Sequence, residues 1–429
     1  MRSMTACVVA FLSLTAAGCS VVAMHRSCIG EVCELGETAG NAALKQCANA
    51  TTIDPRKLCE KASIEHVKDF AIAYVELTDQ GWFYDRKQLN AALNLLQAKG
   101  EKSLEVVVFV HGWKHSAQFD DFDVTKVRDT VMPALTRGRP GSRAVGIYVG
   151  WRGAPLDLPT LVQGITFYDR KATADHVARG SVRELFSHLQ AIRKEPVAAS
   201  GREVRLTLIG HSFGGLIVYN SVAESLLNSL VTANHGDQAT LRKAIPIADL
   251  VLLLNPAFEA SRFEPLFQVA KDQSPSTGSF WAYAEDQRPI LVSITSEADS
   301  ATRIAFPLGR TVISLFEHEG WTDQDVPRSD YSERLEKIAN THTMGHMERY
   351  RTHQLELSDN AQQADPATIA LACKVLPNPL VADGNRFPLW NILAREEAIG
   401  SHHDIYRQNL WDFVSRLSNP RSRLNDICR

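Results

Sequence analysis

LTLIGHSFGG, Leu206 to Gly215, decides the reading of this chain. An apolar run ends in Gly210-His211-Ser212-Phe213-Gly214, and a helical pattern follows at Leu216, Tyr219 and Ala223. A strand that turns sharply into a helix holds its serine exposed at the sheet edge. Small residues two before and two after the serine are needed, because the turn is strained and neighbouring backbone comes close. The helix N-terminus then aims free N–H groups at developing negative charge. The bare motif G-x-S-x-G is common by chance; a strand before it and a helix after it make it specific. The competing reading is a glycine-rich turn with an idle serine.

Further short, nearly all-apolar runs lie on both sides. They are EVVVFVHG from Glu105, AVGIYVGW from Ala144, DLVLLLNP from Asp249 and PILVSITS from Pro289. Runs of this length bounded by Gly or Pro suit strands buried on both faces. FAIAYVEL from Phe70 and FPLWNIL from Phe387 also read as strands. Helical spacing appears in QLNAALNLLQ (Leu89, Ala92, Leu93, Leu96), at Val182, Leu185, Phe186 and Leu189, and at Leu410, Phe413, Val414 and Leu417. Strands alternating with helices imply an α/β fold with a mostly parallel sheet and helices on both faces. Residues from about 301 to 385 are irregular, apart from an expected helix near 330–340, and read as a cap-like insertion before the last strand.

These elements resemble the α/β-hydrolase superfamily of esterases and lipases over about Phe70 to Leu417. The resemblance implies a Ser-His-acid triad with Ser212 as nucleophile and an oxyanion hole built from the amides of Phe213 and Trp113, the latter in Val106-to-His115 (VVFVHGWKH). In this chain order the acid comes before the histidine. PILVSITSEADSAT places Asp299 and Glu297 after a late strand, and Asp299 is preferred as the acid in the turn. GSHHDIYRQNLWDF offers His402 and His403 as base. His402 is preferred because similar proteins read His-x-Asp-Ile there. Trp151, Phe167 and Phe306 are candidates for an apolar substrate wall, against ordinary core packing. The chemistry calls for no metal or organic cofactor. His111 with His115 is a weak metal pair at a strand end, with no carboxylate between them, and His342, His346 and His353 have no placed acidic partner.

The expected activity is cleavage of a small-molecule or lipid ester through an acyl-enzyme. The same triad serves thioesters, amides and acyl transfer, and a non-catalytic envelope binding protein is the rival from another class. The net charge of −3, with 45% hydrophobic and 22% charged residues, describes a globular chain with no electrostatic signature for nucleic acid.

Export is expected from the N-terminus. Arg2 precedes an uncharged stretch, Met4 to Met24, whose apolar part is short for a membrane span. LTAAGC resembles a bacterial lipobox, which makes residues 1–18 a signal peptide and Cys19 a lipidated membrane anchor. It departs from the usual pattern at Ala16, where Leu is preferred. Cleavage after Ala23 and an uncleaved anchor are the alternatives. Setting aside Cys7 and Cys19 leaves six cysteines, Cys28, Cys33, Cys47, Cys59, Cys373 and Cys428, an even number that points to disulfides in an oxidising compartment. Residues 19–62 are therefore expected to be a cysteine-rich segment, stapled rather than packed, ahead of a hydrolase domain over 63–429.

Overall fold

The computed structural model describes residues 24–34, 45–46, 52–53, 58–97, 103–137, 141–153, 163–196, 202–234, 242–271, 283–307, 330–358, 370–381 and 383–428. Cys19 and Cys47 lie outside them. One eleven-stranded sheet organises the chain. Its strands are β1 Cys28–Glu34, β2 Ala62–Val67, β3 Phe70–Glu76, β4 Ser103–Val110, β5 Ser142–Gly150, β6 Glu203–His211, β7 Leu250–Leu254, β8 Leu291–Ser296, β9 His353–Leu357, β10 Leu371–Val375 and β11 Leu389–Ala394. Their order across the sheet is β1-β2-β3-β5-β4-β6-β7-β8-β11-β9-β10. Only the β2–β3 and β9–β10 pairs are antiparallel. This is the α/β fold expected from the strand–helix alternation.

The all-apolar strands sit centrally because both faces are covered. Along β4, Val106, Val108 and Val110 enter one core, while Val107 and Phe109 enter the other. The first core takes helices α1 Arg86–Leu96, α3 Gln163–Arg179, α4 Val182–Lys194, α5 Phe213–Asn234 and α6 Glu264–Lys271. The second takes α8 Gln408–Ser418 and the helix α2 that starts at Phe122–Lys126 and continues to Met132–Thr136. A further helix, α7 Asp330–Thr341, matches the one expected near 330–340.

Two boundaries differ from the sequence expectation. The cysteine-rich segment is packed as well as stapled: β1 joins the sheet edge, parallel to β2. Arg26, fully buried, locks it there. Its guanidinium donates to Glu65 (2.9 Å), the Ala117 carbonyl (2.7 Å) and the Cys59 carbonyl (2.8 Å), and lies 3.7 Å from the centre of the Tyr74 ring. These bonds from Nε and Nη1 offset much of the cost of burying the guanidinium, while its Nη2 has no hydrogen-bond partner among the described residues. The second difference is in residues 301–385, which hold β9 and β10 as well as capping turns. HQLEL and LACKV alternate apolar and polar residues, a one-sided edge pattern that a search for wholly apolar central strands passes over.

Cys33–Cys59 and Cys373–Cys428 are disulfides, closing separations of 26 and 55 residues. The chain-entropy relation puts the longer bridge at about 4 kcal/mol and the shorter at about 3.5 kcal/mol. Replacing Cys373 and Cys428 together by serine should therefore lower the unfolding free energy by up to about 4 kcal/mol. Denaturant titration of the oxidised proteins measures this, and an unchanged midpoint would contradict it.

Candidate active site

The backbone of Ser212 has φ +55°, the left-handed region that a residue with a Cβ enters only when its surroundings impose it. Here they do. Its N–H donates to the Leu254 carbonyl at 3.0 Å, and its carbonyl accepts from Gly215 and Ala257. A methyl group on Gly210 would fall 2.4 Å from the Gly214 carbonyl oxygen, and one on Gly214 would fall 2.0 Å from that of Val110. The two glycines thus permit the crossing of β4, β6 and α5 that tilts the serine out of the sheet.

β4, β6, β7, β8 and β11 are successive parallel neighbours, and the chain leaving their C-terminal ends builds the site. His402, in the loop after β11, places Nε2 2.8 Å from Ser212 Oγ. Its Nδ1 lies 2.7 Å from Asp299 Oδ2. Asp299 is fully buried in the turn after β8. Burial alone would raise its pKa, but hydrogen bonds from His402 and Thr302 outweigh this and hold it below the usual carboxylate range. The Ala301 and Thr302 amides donate to its Oδ1, and the Thr302 hydroxyl donates to Oδ2 at 2.6 Å. A carboxylate with two N–H donors, a hydroxyl and an imidazole N–H around it stays ionised, so the Nδ1–H, Nε2-acceptor tautomer of His402 is the favoured one.

The competing residues are placed elsewhere. Glu297 pairs with Arg395 at 2.8 Å and accepts the Glu396 N–H. His403 is exposed, with its ring edge-on to His115 and His211. His342, His346 and His353 diverge: His342 hydrogen-bonds at its own helix end, His346 meets Thr302, and His353 packs on Trp390. Among the described residues no group of three His, Cys, Asp or Glu is arranged to hold a metal ion.

Trp113 follows Gly112 directly, and a methyl on Gly112 would lie 3.0 Å from Ser212 Cβ, so this loop abuts the serine. Phe213 opens α5, where an N–H has no intrahelical acceptor. Phe167, on α3, gathers the aromatic residues: its ring centre is 4.9 Å from Phe213, 5.6 Å from Trp113 and 6.3 Å from Phe306. α3 is pinned by a buried Lys171–Glu259 ion pair and by Arg262 holding Asp175. Phe306 is fully buried and Trp151 is 3% exposed, so both depart from their expected place in the substrate wall. Trp151 stacks on His111. Its backbone N–H donates to His111 Nε2 (3.1 Å) and its indole N–H to the His111 carbonyl (2.9 Å). A buried indole needs an acceptor, and the one it finds is behind the loop rather than in the cleft. His111, pushed down to about 4 by burial, is neutral and is a support for the loop rather than a ligand.

Sequence reasoning missed Asn255 and His211. Asn255, at φ +44° after β7, donates from Nδ2 to the His402 carbonyl at 2.9 Å and accepts the Ser296 N–H through Oδ1. One side chain therefore joins the strand leading to the acid with the loop carrying the imidazole. His211 Nε2 lies 3.0 Å from the same His402 carbonyl and donates to it. The available signal for Asn255 was its place at the end of the apolar run from Asp249, just before Pro256.

The family's sequence profile, described as "Alpha/beta hydrolase family", matches residues 107–370. The chain belongs to that family. No curated protein matches this hydrolase in sequence. Among solved structures, phospholipase PlaB from Legionella pneumophila is 16% identical over 77% of this chain and 61% of its own, with a TM-score of 0.28. Its complex with thio-NAD is 16% identical over 75% and 60%, with a TM-score of 0.25. An uncharacterized protein from Pseudomonas aeruginosa is 11% identical over 51% and 39%, at 0.21. The hydrolase thus spans about 60% of the length of PlaB.

Behind the site lies Asp123, nearly enclosed, 3.5 Å from His115 Nε2 and 4.0 Å from His211 Nδ1. Burial raises its carboxyl to about 6. Between the ordinary value of 3.8 and about 6 the folded protein keeps a proton that the unfolded chain releases, so stability falls as pH rises through that window. Asp123→Asn should gain up to about 3 kcal/mol at pH 7. The gain should shrink steadily as pH is lowered from 6 toward 4. Thermal melts of both proteins across this range check it; a gain independent of pH would contradict the assignment.

Proposed function

We propose that this α/β hydrolase cleaves carboxylic esters, with Ser212 as nucleophile, His402 as general base and then acid, and Asp299 orienting the imidazole. The observation that carries the reading is the continuous pair of hydrogen bonds, 2.8 Å from Ser212 to His402 and 2.7 Å from His402 to Asp299. In acylation His402 Nε2 takes the serine proton as Oγ adds to the ester carbonyl. The imidazolium, stabilised by Asp299, returns that proton to the leaving alkoxide. Water repeats the sequence on the acyl-enzyme. The Phe213 and Trp113 amides are the proposed donors to the oxyanion, a role in which loss of one donor costs about 10²–10³ in rate.

The partly exposed rings of Trp113 and Phe167 near the serine suit an apolar acyl chain, and a lipid ester is the substrate class proposed. Export agrees with this. The Cys33–Cys59 and Cys373–Cys428 disulfides fit an oxidising compartment, and no helix among the described residues is long and apolar enough to cross a membrane. A lipid on Cys19 is the proposed attachment to the envelope.

Ser212→Ala should abolish both ester hydrolysis and labelling by a fluorophosphonate probe without loss of fold. His402→Ala should lower the rate by about 10⁴–10⁶. His403→Ala should cost roughly tenfold at most. Full labelling of Ser212→Ala, or a larger loss at His403 than at His402, would overturn these roles. For export, mass spectrometry of protein extracted from membranes should find an acylated N-terminal Cys19; a mature chain starting at Met24 would instead mean ordinary signal cleavage.

A further inference from the structure

Asp299 has a neighbour that the proposed triad does not use. The Thr302 hydroxyl lies 2.6 Å from Asp299 Oδ2 and 2.9 Å from His346 Nε2. It carries one proton. Directed at His346, that proton would leave a hydroxyl lone pair facing an ionised carboxylate. Directed at Asp299, it makes a charge-assisted bond, and His346 must then supply its Nε2–H to the hydroxyl oxygen. Only the second arrangement satisfies all three groups. We propose that His346, acting through Thr302, is a positioning residue that extends the triad to a chain of five: His346, Thr302, Asp299, His402 and Ser212. This rests on the reading of Ser212, His402 and Asp299 given above.

The turn that carries His346, Met344–His346, is built into the same framework. Gly345 is pressed so closely on β8 that a methyl there would lie 1.9 Å from Thr295 Oγ1. The Met344 carbonyl accepts from Asn391 on β11 at 2.9 Å. β8 leads to Asp299 and β11 to His402, so the strands that place the acid and the base also place His346. Burial pushes His346 down to about 4, against the attraction of Asp299 and with Arg303, Arg351 and His342 acting in the same direction as burial. It is therefore neutral around pH 7, with a single N–H, which the Thr302 oxygen claims.

The function of such a chain is to keep the Thr302 proton on the carboxylate. That fixes the face of Asp299 that meets His402, and draws off part of the charge the imidazole feels. Without it, Asp299 holds more charge toward His402, the imidazolium is favoured, and the acid limb of reactivity moves to higher pH.

The test uses the full-length protein, an alkyl fluorophosphonate and the labelling rate as a function of pH, with thermal stability recorded for each variant. Thr302→Val should slow labelling about tenfold to a hundredfold and move the acid limb upward, while Thr302→Ser should stay near the parent. His346→Leu should slow it about threefold to tenfold with the limb moving in the same direction, and His346→Gln, which keeps an N–H, should recover most of the rate. The double variant Thr302→Val/His346→Leu should be no slower than Thr302→Val alone. Losses that multiply in the double variant, or a slowed His346→Leu with an unmoved pH profile, would reduce His346 to a packing role and overturn the proposal. Where His346→Leu does not fold, the Thr302 pair and His346→Gln carry the same readouts. Failure of the parent to label at all would count against the hydrolase reading instead. The far-downfield proton resonance of His402 Nδ1–H still tests the positioning in that case: it should shift in His346→Leu and return in His346→Gln, and no shift would overturn the proposal.

Discussion

The left-handed backbone of Ser212 is the constraint from which the site follows. At that φ the chain reverses between β6 and α5 within one residue, which presents Oγ above the sheet and sets the first turn of the helix beneath it. Such a conformation is held by the contacts on either side. α5 must approach both β6 and β4 to within backbone distance, which is why no side chain fits at Gly210 or Gly214. Asn255, also left-handed, performs the matching task one strand away, where its amide bridges the segments that carry Asp299 and His402. Two strained residues on adjacent strand ends thus locate the proposed nucleophile, acid and base together.

Three histidines around the site have defined hydrogen-bond partners. His111 gives Nδ1–H to the Gly112 carbonyl and accepts the Trp151 amide, which fixes its tautomer. His402 faces a carboxylate on one side and a hydroxyl on the other. His211 spends its Nε2–H on the His402 carbonyl. In a buried site the cost of an unpaired polar group is large, so these bonds help to hold the imidazole in place.

Much of this was legible in the sequence because it depends on local pattern. The central strands announce themselves as apolar runs, since each is covered on both faces. Ser212 is legible from the glycines around it. Chain order and strand ends narrow the acid to Asp299 or Glu297 and the base to His402 or His403, and the family resemblance supplies the preference within each pair. What escaped depends on contacts distant in sequence. Arg26 is separated from Glu65 by 39 positions and from Ala117 by 91, and a lone arginine has no periodicity to betray that it is buried. Trp151 looked like a cleft residue because it follows a strand, yet its indole N–H sought the acceptor behind His111. β9 and β10 were hidden because strands toward the end of the sheet alternate apolar and polar residues, and short alternation is easily taken for loop. His211 looked like a spacer inside the serine motif until the fold brought the histidine loop across it.

The C-terminal bridge has a bearing on where the chain can mature. β10 is the outermost strand of the sheet, and an outermost strand offers unpaired N–H and C=O groups to any passing segment. Here the chain's own end lies along it: Cys428 pairs with Cys373 through the backbone as well as through sulfur. Protection of that edge against self-association is therefore coupled to oxidation. In a reducing cytosol the clasp opens and the edge becomes a template for strand addition, so aggregation during production there would be a matter of compartment rather than of an unstable core.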